Sequence, residues 1–223
     1  MAGKYLRGAF VEYMPTFATP IPNVIIFQYN PETISHNWSA AQEDYERNYG
    51  GWGGRPASGT ANPLAVRGMP SETFSFSLAM NAEDQLAEGD GLAGESGIYS
   101  RLAALEMLLY PVPDPTADGG GERAVSAMQL PTVLFVWGAG RILPVRVNGL
   151  SITERLYDVR LNPTYAEAQI DLRVLTPDEL EHVQGPLGPL ARTAYEYSQS
   201  LRQGLAVANL ANAAESFIGM IPV

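Results

Sequence analysis

Residues 72–80 read ETFSFSLAM, and this stretch decides the fold class. Its large apolar residues, Phe74, Phe76, Leu78 and Met80, alternate with small or polar residues, so they recur with a period of two. Successive side chains of a β-strand point to opposite faces of a sheet, whereas one face of a helix repeats every three to four residues. The stretch therefore predicts a strand with one face in the core and the other toward water.

The same alternation returns near the end of the chain, in Ala166–Leu175. Ala and aliphatic residues occupy the even positions, and Glu167, Gln169, Asp171 and Arg173 occupy the odd ones. This segment predicts a second strand with a dry face and a wet face. Shorter segments of similar composition predict five more strands: Ala9–Tyr13, Asn23–Tyr29, Thr132–Trp137, Ile142–Val147 and Leu150–Tyr157.

Helical patterns are fewer. Residues 100–110 have apolar side chains at helical spacing, and Pro111 ends that segment because proline cannot continue a helix. Leu190–Phe217 also has helical spacing. The order of strands, one helix, strands and a helical tail predicts an α+β fold that is mainly β, rather than an alternating βαβ fold.

The domain organisation follows from composition. Residues 1–180 are predicted to form the β domain, with a Gly-rich loop at about 49–63 and a flexible loop at 111–130. Residues 181–223 are predicted to form a C-terminal helical arm, which Pro186 and Pro189 set off from the domain.

Charge and composition argue against several functional classes. The formal charge is −10, which does not favour binding to nucleic acid or to an anionic membrane, because such partners require a basic surface. The absence of cysteine excludes thiol catalysis and disulfides. Residues 1–8 lack the apolar core of a signal peptide, and polar residues interrupt the apolar segment 205–223. We expect a soluble cytosolic product, or one that leaves the cell by another route, with no membrane insertion.

The segment Phe27–Trp38 (FQYNPETISHNW) raises the question of catalysis, because it contains His36, one of only two histidines. His36 and His182 both lack a neighbouring nucleophile motif, and two isolated histidines offer too few ligands for a metal. Asn30 and Pro31 predict a turn in which Asn30 bonds its own backbone. Ile34, His36 and Trp38 then share one face of the next strand, which makes His36 a structural residue.

Other candidate sites are also weak. Gly89–Gly94 matches a dinucleotide-binding glycine pattern, but an acidic segment separates it from the preceding strand, so it is interpreted as a flexible acidic loop. Glu154 and Asp171 are the carboxylates that a glycan hydrolase could use. Trp52 is the most plausible exposed aromatic contact. We assign no catalytic, cofactor-binding or metal-binding residue.

Two sets of residues carry a resemblance to a known family. The first is Phe27–Pro31 (FQYNP) with Ile34 and Trp38, and the second begins at Pro131–Gly138 (PTVLFVWG). The second set continues through Leu143–Val147, Leu150–Glu154, Tyr157–Asp158, Leu161–Pro163 and Ala166–Leu175. Together they resemble the tube-like hub proteins of contractile injection systems, which are phage-tail-like particles. The resemblance spans roughly residues 9–176, and the LysM-type module of many relatives is missing from the tail.

The resemblance implies a tail-tube-like barrel or sandwich of two antiparallel sheets with a flanking helix, six copies of which close into a ring. Each copy would leave edge strands that pair with the next copy. The implied partners are further copies of the chain, the inner tube protein, the spike or hub protein, and baseplate or sheath subunits contacted by the C-terminal arm. A charged fraction of only 17% fits a surface largely covered by neighbours.

Three functional hypotheses remain open. The first is a tube-initiator or baseplate hub layer that joins the inner tube to the spike. The second is a tube-capping or terminator subunit at the opposite end of the particle. The third is a cell-wall glycan hydrolase that acts through carboxylates such as Glu154 and Asp171.

Overall fold

The structure is a computed structural model that describes residues 6–14, 21–40, 68–87, 89, 91–113, 128–183 and 187–218. Within those ranges the strands are β1 (Ala9–Met14), β2 (Ile21–Ile26), β3 (Ile34–Ser39), β4 (Ser71–Asn81), β5 (Val112–Pro113), β6 (Met128–Gln129), β7 (Val133–Val136), β8 (Ile142–Tyr157) and β9 (Pro163–Val174). The helices are α1 (Ala82–Ala87), α2 (Ala93–Ser96), α3 (Tyr99–Met107), α4 (Pro177–Glu181) and α5 (Leu187–Ile218).

Seven of these strands form one antiparallel sheet in the order β2-β1-β7-β8-β9-β4-β3, and β5 pairs with β6 in a separate ribbon. The prediction of a mainly β, α+β fold is confirmed. Strands β4 and β9 show the predicted alternation: Phe74, Phe76, Leu78 and Met80 are buried, and so is every even position from 166 to 174. The two strands pair over nine residues, with Phe76 opposite Ile170.

Strand β8 is continuous where the sequence predicted two strands. Its register with β9 shifts between Val147 and Gly149, so Asn148 is an extra residue that forms a bulge. The bulge reverses the alternation: Val145 and Val147 face the core before it, and Leu150 and Ile152 pack against the core after it. The apparent break in the sequence pattern is therefore a change of phase within one strand.

The sheet is strongly curled. Phe10 of β1 and Phe76 of β4 have ring centroids 6.4 Å apart, although three strands lie between them in the sheet. A flat sheet would separate those two strands by about 19 Å. Phe27 and Phe135 complete this aromatic cluster. The two layers implied by the resemblance are thus the two halves of one sheet, which face each other across the core.

The FQYN segment, which follows β2, connects two parts of the curled sheet through two side-chain amides: Gln28 bonds the end of β4, and Asn30 bonds the chain just before β1. Gln28 Nε2 donates to the Asn81 carbonyl at 2.8 Å, and Gln28 Oε1 accepts from the Asn81 N–H at 2.9 Å. Asn30 Nδ2 donates to the Leu6 carbonyl, and Asn30 Oδ1 accepts from the Gly8 N–H at 2.9 Å. The prediction that Asn30 bonds its own backbone is wrong, because these amides instead imitate the pairing of a strand.

The helices differ in part from the expectations. A helix within 100–110 is present as α3, and the helical tail is present as α5. The acidic segment after β4 is not a loop throughout, because α1 and α2 bury Ala82, Gln85 and Ala93. Helix α4 was also missed, although Thr176 and Glu179 form a capping box that the sequence already contains.

Two predicted loops are only partly covered. Residues 49–63, including Trp52, lie outside the described residues. In the predicted loop 111–130, Val112 pairs with Gln129 and Pro113 with Met128, and residues 114–127 lie outside the described residues.

Candidate functional site

His36 belongs to a buried charge cluster that joins three elements. Its Nε2 lies 2.7 Å from Glu72 Oε1, and Glu72 on β4 has a side chain only 6% exposed. Arg202 of α5 forms a two-pronged ion pair with Glu72, in which Nη1 donates to Oε2 at 2.8 Å. The His36 ring also stacks on Phe74, at a centroid distance of 3.9 Å.

Burial lowers the pKa of His36 and outweighs the opposing effect of Glu72. The ring is therefore neutral at pH 7, and the Glu72 carboxylate is balanced by Arg202. Because the buried charges are paired, the cluster stabilises the packing of α5, through Arg202, and of the edge strand β3, through His36, against β4. Sequence reasoning placed Glu72 in the strand but missed its partner, which lies 130 residues later in the chain.

The remaining candidates for small-molecule chemistry do not come together. His182 is exposed at the end of α4. Helix α1 separates β4 from Gly89 and Gly94, so the glycines do not follow directly from a strand as a dinucleotide site requires. Across the part of the chain that the structure describes, no three metal-ligating side chains lie close enough to hold an ion.

The carboxylates proposed for glycan hydrolysis are far apart. Asp171 lies opposite Gly149, and Glu154 lies opposite Ala166. Gly149 and Glu154 are five residues apart on β8, so the two carboxylates are separated by about 16 Å along the strands. Glycosidases hold their two carboxyl groups about 5–9.5 Å apart. This pair therefore lacks the spacing that the hydrolase hypothesis requires.

The first candidate interaction surface is the edge of the sheet at β2, where backbone hydrogen-bonding groups lack a strand partner among the described residues. Among the described strands β2 pairs only with β1, which leaves the N–H and C=O groups of its other side without a strand partner. Its outward side chains are Pro22, Val24 and Ile26, and Val24 and Ile26 are 48% and 53% exposed. An apolar edge strand of this kind is a template for pairing with another chain.

The second such surface is the β3 edge at the opposite end of the sheet. Strand β3 pairs only with β4 among the described strands. Trp38 stands at its end with 56% of its surface exposed, and its ring packs on His36 at a centroid distance of 3.6 Å. The sheet thus ends on both sides in a strand that offers backbone groups and apolar surface.

Helix α5 has two different halves. Leu187, Ala191 and Ala194 are buried in the core, and Ser198 Oγ donates to the Ile142 carbonyl at 3.0 Å. Residues 203–210 are all exposed, and residues 203–214 contain no charged side chain. The first half anchors the helix, and residues 203–210 present an uncharged surface.

Comparison with known proteins gives no relative to set beside these surfaces: no protein-family model matches the chain, and no curated protein sequence matches it significantly. None of the helices in the described ranges has the length and apolarity needed to cross a membrane.

Proposed function

We propose that this chain is a structural subunit of a contractile injection particle, in which six copies form a ring that joins the inner tube to the spike. The observation that carries the proposal is that β2 and β3 lie at the two ends of one curled sheet and have no further strand partner among the described residues. A contact between β2 of one copy and β3 of the next is heterologous, and heterologous contacts close into a ring when the rotation between copies allows it.

The outward face of the sheet supports the same proposal. Ser35, Ser75, Gln169 and Asp171 lie on neighbouring strands and face away from the core. Gln169 Nε2 donates to Ser75 Oγ at 2.8 Å, so the face is also ordered. This polar part of the outward face, formed by β3, β4 and β9, suits the water-filled lumen of a tube layer, since it offers no apolar patch that would hold a passing chain.

Each surface of such a layer is assigned one partner in this proposal. Neighbouring copies would pair through the open edges. The inner tube protein would bind one end of the curled sheet, and the spike protein would bind the other end. The exposed residues 203–210 of α5, which carry no charge, would contact a baseplate or sheath subunit.

A tube terminator would use the same ring, and only its position in the particle would differ. Glu154 and Asp171 are too far apart to be the acid pair of a glycan hydrolase, so this alternative would need other carboxylates.

Electron microscopy of the purified chain and of an edge variant tests the proposal. The edge variant is Val24→Lys with Ile26→Lys, which places two charges on the outward face of β2 without touching the core. We expect six-fold rings for the unchanged chain and none for the edge variant. The matched control is Ser151→Lys with Thr153→Lys, two exposed outward residues with the same spacing on β8, which should preserve β2–β3 pairing. Rings that persist in the edge variant would contradict the proposal, as would a chain that never forms rings.

A further inference from the structure

The β8–β9 hairpin ends in a turn that carries large apolar side chains into solvent. The turn spans residues 158–162, and Val159 and Leu161 within it are 102% and 79% exposed. Leu156 and Tyr157 are exposed on the strand just before it. Turns are normally built from small or polar residues, so this composition is not explained by the turn itself.

The turn is also rigid. The Asp158 carboxylate accepts hydrogen bonds from the Arg160 N–H at 2.7 Å, from the Asn162 N–H at 2.8 Å and from Asn162 Nδ2 at 2.9 Å. These bonds, chiefly that from the Asn162 side chain, lower the pKa of Asp158. Leu161 has φ 65°, a left-handed conformation that leucine rarely adopts. Apolar side chains on a pre-ordered turn lose little entropy when they dock.

An acidic, apolar surface lies directly beside this turn. Asn162 Nδ2 donates to the Glu95 carbonyl at 3.1 Å, and the Ile98 N–H donates to the Pro163 carbonyl at 2.9 Å. Gly97, at φ 58°, permits the approach, because a Cβ there would lie 2.2 Å from the Pro163 oxygen. The exposed residues of this neighbouring surface are Glu83, Asp84, Leu86, Leu92, Glu95 and Tyr99.

The turn and this neighbouring surface together form what we call the hairpin end, and its charges are separated. Arg160, on the turn, is exposed, and within the described ranges it forms no ion pair, although its charge contributes to lowering the pKa of Asp158. Glu83 and Glu95, on α1 and α2, are exposed carboxylates. One surface therefore holds exposed apolar side chains with a cation beside exposed apolar side chains with anions, so that its charges are complementary to those of a second copy.

We propose that two copies of the chain associate through their hairpin ends about a two-fold axis. Val159 and Leu161 of each copy pack on Leu86 and Leu92 of the other, and Arg160 of each copy faces the carboxylates of α1 and α2. A two-fold contact uses the same patch on both partners, and so requires the self-complementarity found here. This contact is separate from the edge contact that closes a ring, and it does not depend on the proposed function.

Sedimentation of the edge variant Val24→Lys/Ile26→Lys tests the contact without interference from ring formation. The edge variant is expected to form a dimer at micromolar concentration and nothing larger. Adding Val159→Ser and Leu161→Asn should make it monomeric, and asparagine is chosen because it tolerates the left-handed backbone at that position. The matched control removes two exposed apolar residues elsewhere, Tyr110→Ser and Met128→Ser, and should leave the dimer intact.

A charge exchange tests the arrangement of the two copies. In the same edge-variant background, Arg160→Glu should weaken the dimer at least tenfold, and Glu83→Arg with Glu95→Arg should do the same. Mixing the two proteins should restore dimers, because every Glu–Arg contact across the axis is then attractive. A monomeric edge variant, dimers that survive the Val159 and Leu161 changes, or a mixture that stays monomeric would overturn the proposal. Failure of ring formation alone would leave this dimer in place.

Discussion

Strand β9 and strand β2 belong to the same sheet, and they differ in their neighbours and in their outward faces. Strand β9 pairs on both sides, with β8 and β4, and its outward residues Gln169 and Asp171 are polar. Strand β2 pairs only with β1 among the described strands, and its outward residues Val24 and Ile26 are apolar. Within one copy, β9 is hydrogen-bonded to a strand on each side. Strand β2 has one free side and apolar outward residues, which is typical of a strand that pairs with another chain.

The comparison predicts that substitutions in the two regions affect different properties. Residues that complete the interior should control the stability of a single copy. Residues on the outward face of β2 should control association and leave stability nearly unchanged.

The largest effect on stability is expected for Phe135→Ala. Phe135 is fully buried and its ring lies within 6 Å of those of Phe10, Phe74 and Phe76. Removing such a side chain typically lowers the free energy of unfolding by about 3–5 kcal/mol, because burial is lost and a cavity remains. Urea denaturation measures the change. Ile26→Ala on β2 is the control, for which we expect a change below about 1 kcal/mol. Equal losses at the two sites would remove the distinction between them.

A smaller loss is expected for Arg202→Met. The Glu72 carboxylate would stay buried with only neutral His36 as a partner, at a cost of about 2 kcal/mol, reduced from a fully buried pair because Arg202 is partly exposed. The same denaturation experiment detects it. Arg192→Met on the exposed side of the same helix is the control and should change stability little. No loss in Arg202→Met would mean that α5 is held by its apolar contacts alone.

Gln28→Ala tests the closure of the curl. The substitution leaves the Asn81 N–H and carbonyl without their amide partner, and we expect a loss of about 1–2 kcal/mol. Hydrogen exchange should also quicken at the Asn81 amide while the amides of β9 stay protected. Gln203→Ala, at an exposed position of α5, is the control. An Asn81 amide that stays equally protected in Gln28→Ala would contradict this assignment.

The smallest effect concerns acid stability. Arg173 forms a two-pronged ion pair with Glu179, and this pair chiefly lowers the pKa of Glu179 from 4.5 to about 2. A folded-state pKa below the unfolded value adds stability above pH 4.5, and this contribution is lost as the pH falls from 4.5 toward 2. Because Glu179 is partly exposed, we expect about 1 kcal/mol. Glu179→Gln should flatten this part of the pH–stability curve; an unchanged slope would show that the pair contributes nothing.

The sequence predicted the parts of the fold that depend on local periodicity. Strands β4 and β9 were found because their apolar residues alternate along a single strand. The continuity of β8 was missed because the bulge at Asn148 reverses the alternation, and two phases look like two strands. The α4 capping box at Thr176 and Glu179 was a readable signal that was overlooked.

The interaction surfaces depend on long-range pairing that periodicity does not encode. No local pattern reveals that Glu72 meets Arg202, or that β2 and β3 become the two ends of one sheet. In the sequence, Val159 and Leu161 alternate with polar residues as they would in a strand, and only the Asp158 hydrogen bonds show that they lie in a turn exposed to solvent.

The most direct test of the account is the mass in solution of the unchanged chain and of the edge variant Val24→Lys/Ile26→Lys, measured by sedimentation at equal concentration. The account predicts rings of six copies, or pairs of such rings, for the unchanged chain. It predicts no species larger than a dimer for the edge variant, whose free energy of unfolding should lie within about 1 kcal/mol of that of the unchanged chain. The same small species for both proteins would contradict the central claim that β2 is completed by a second copy.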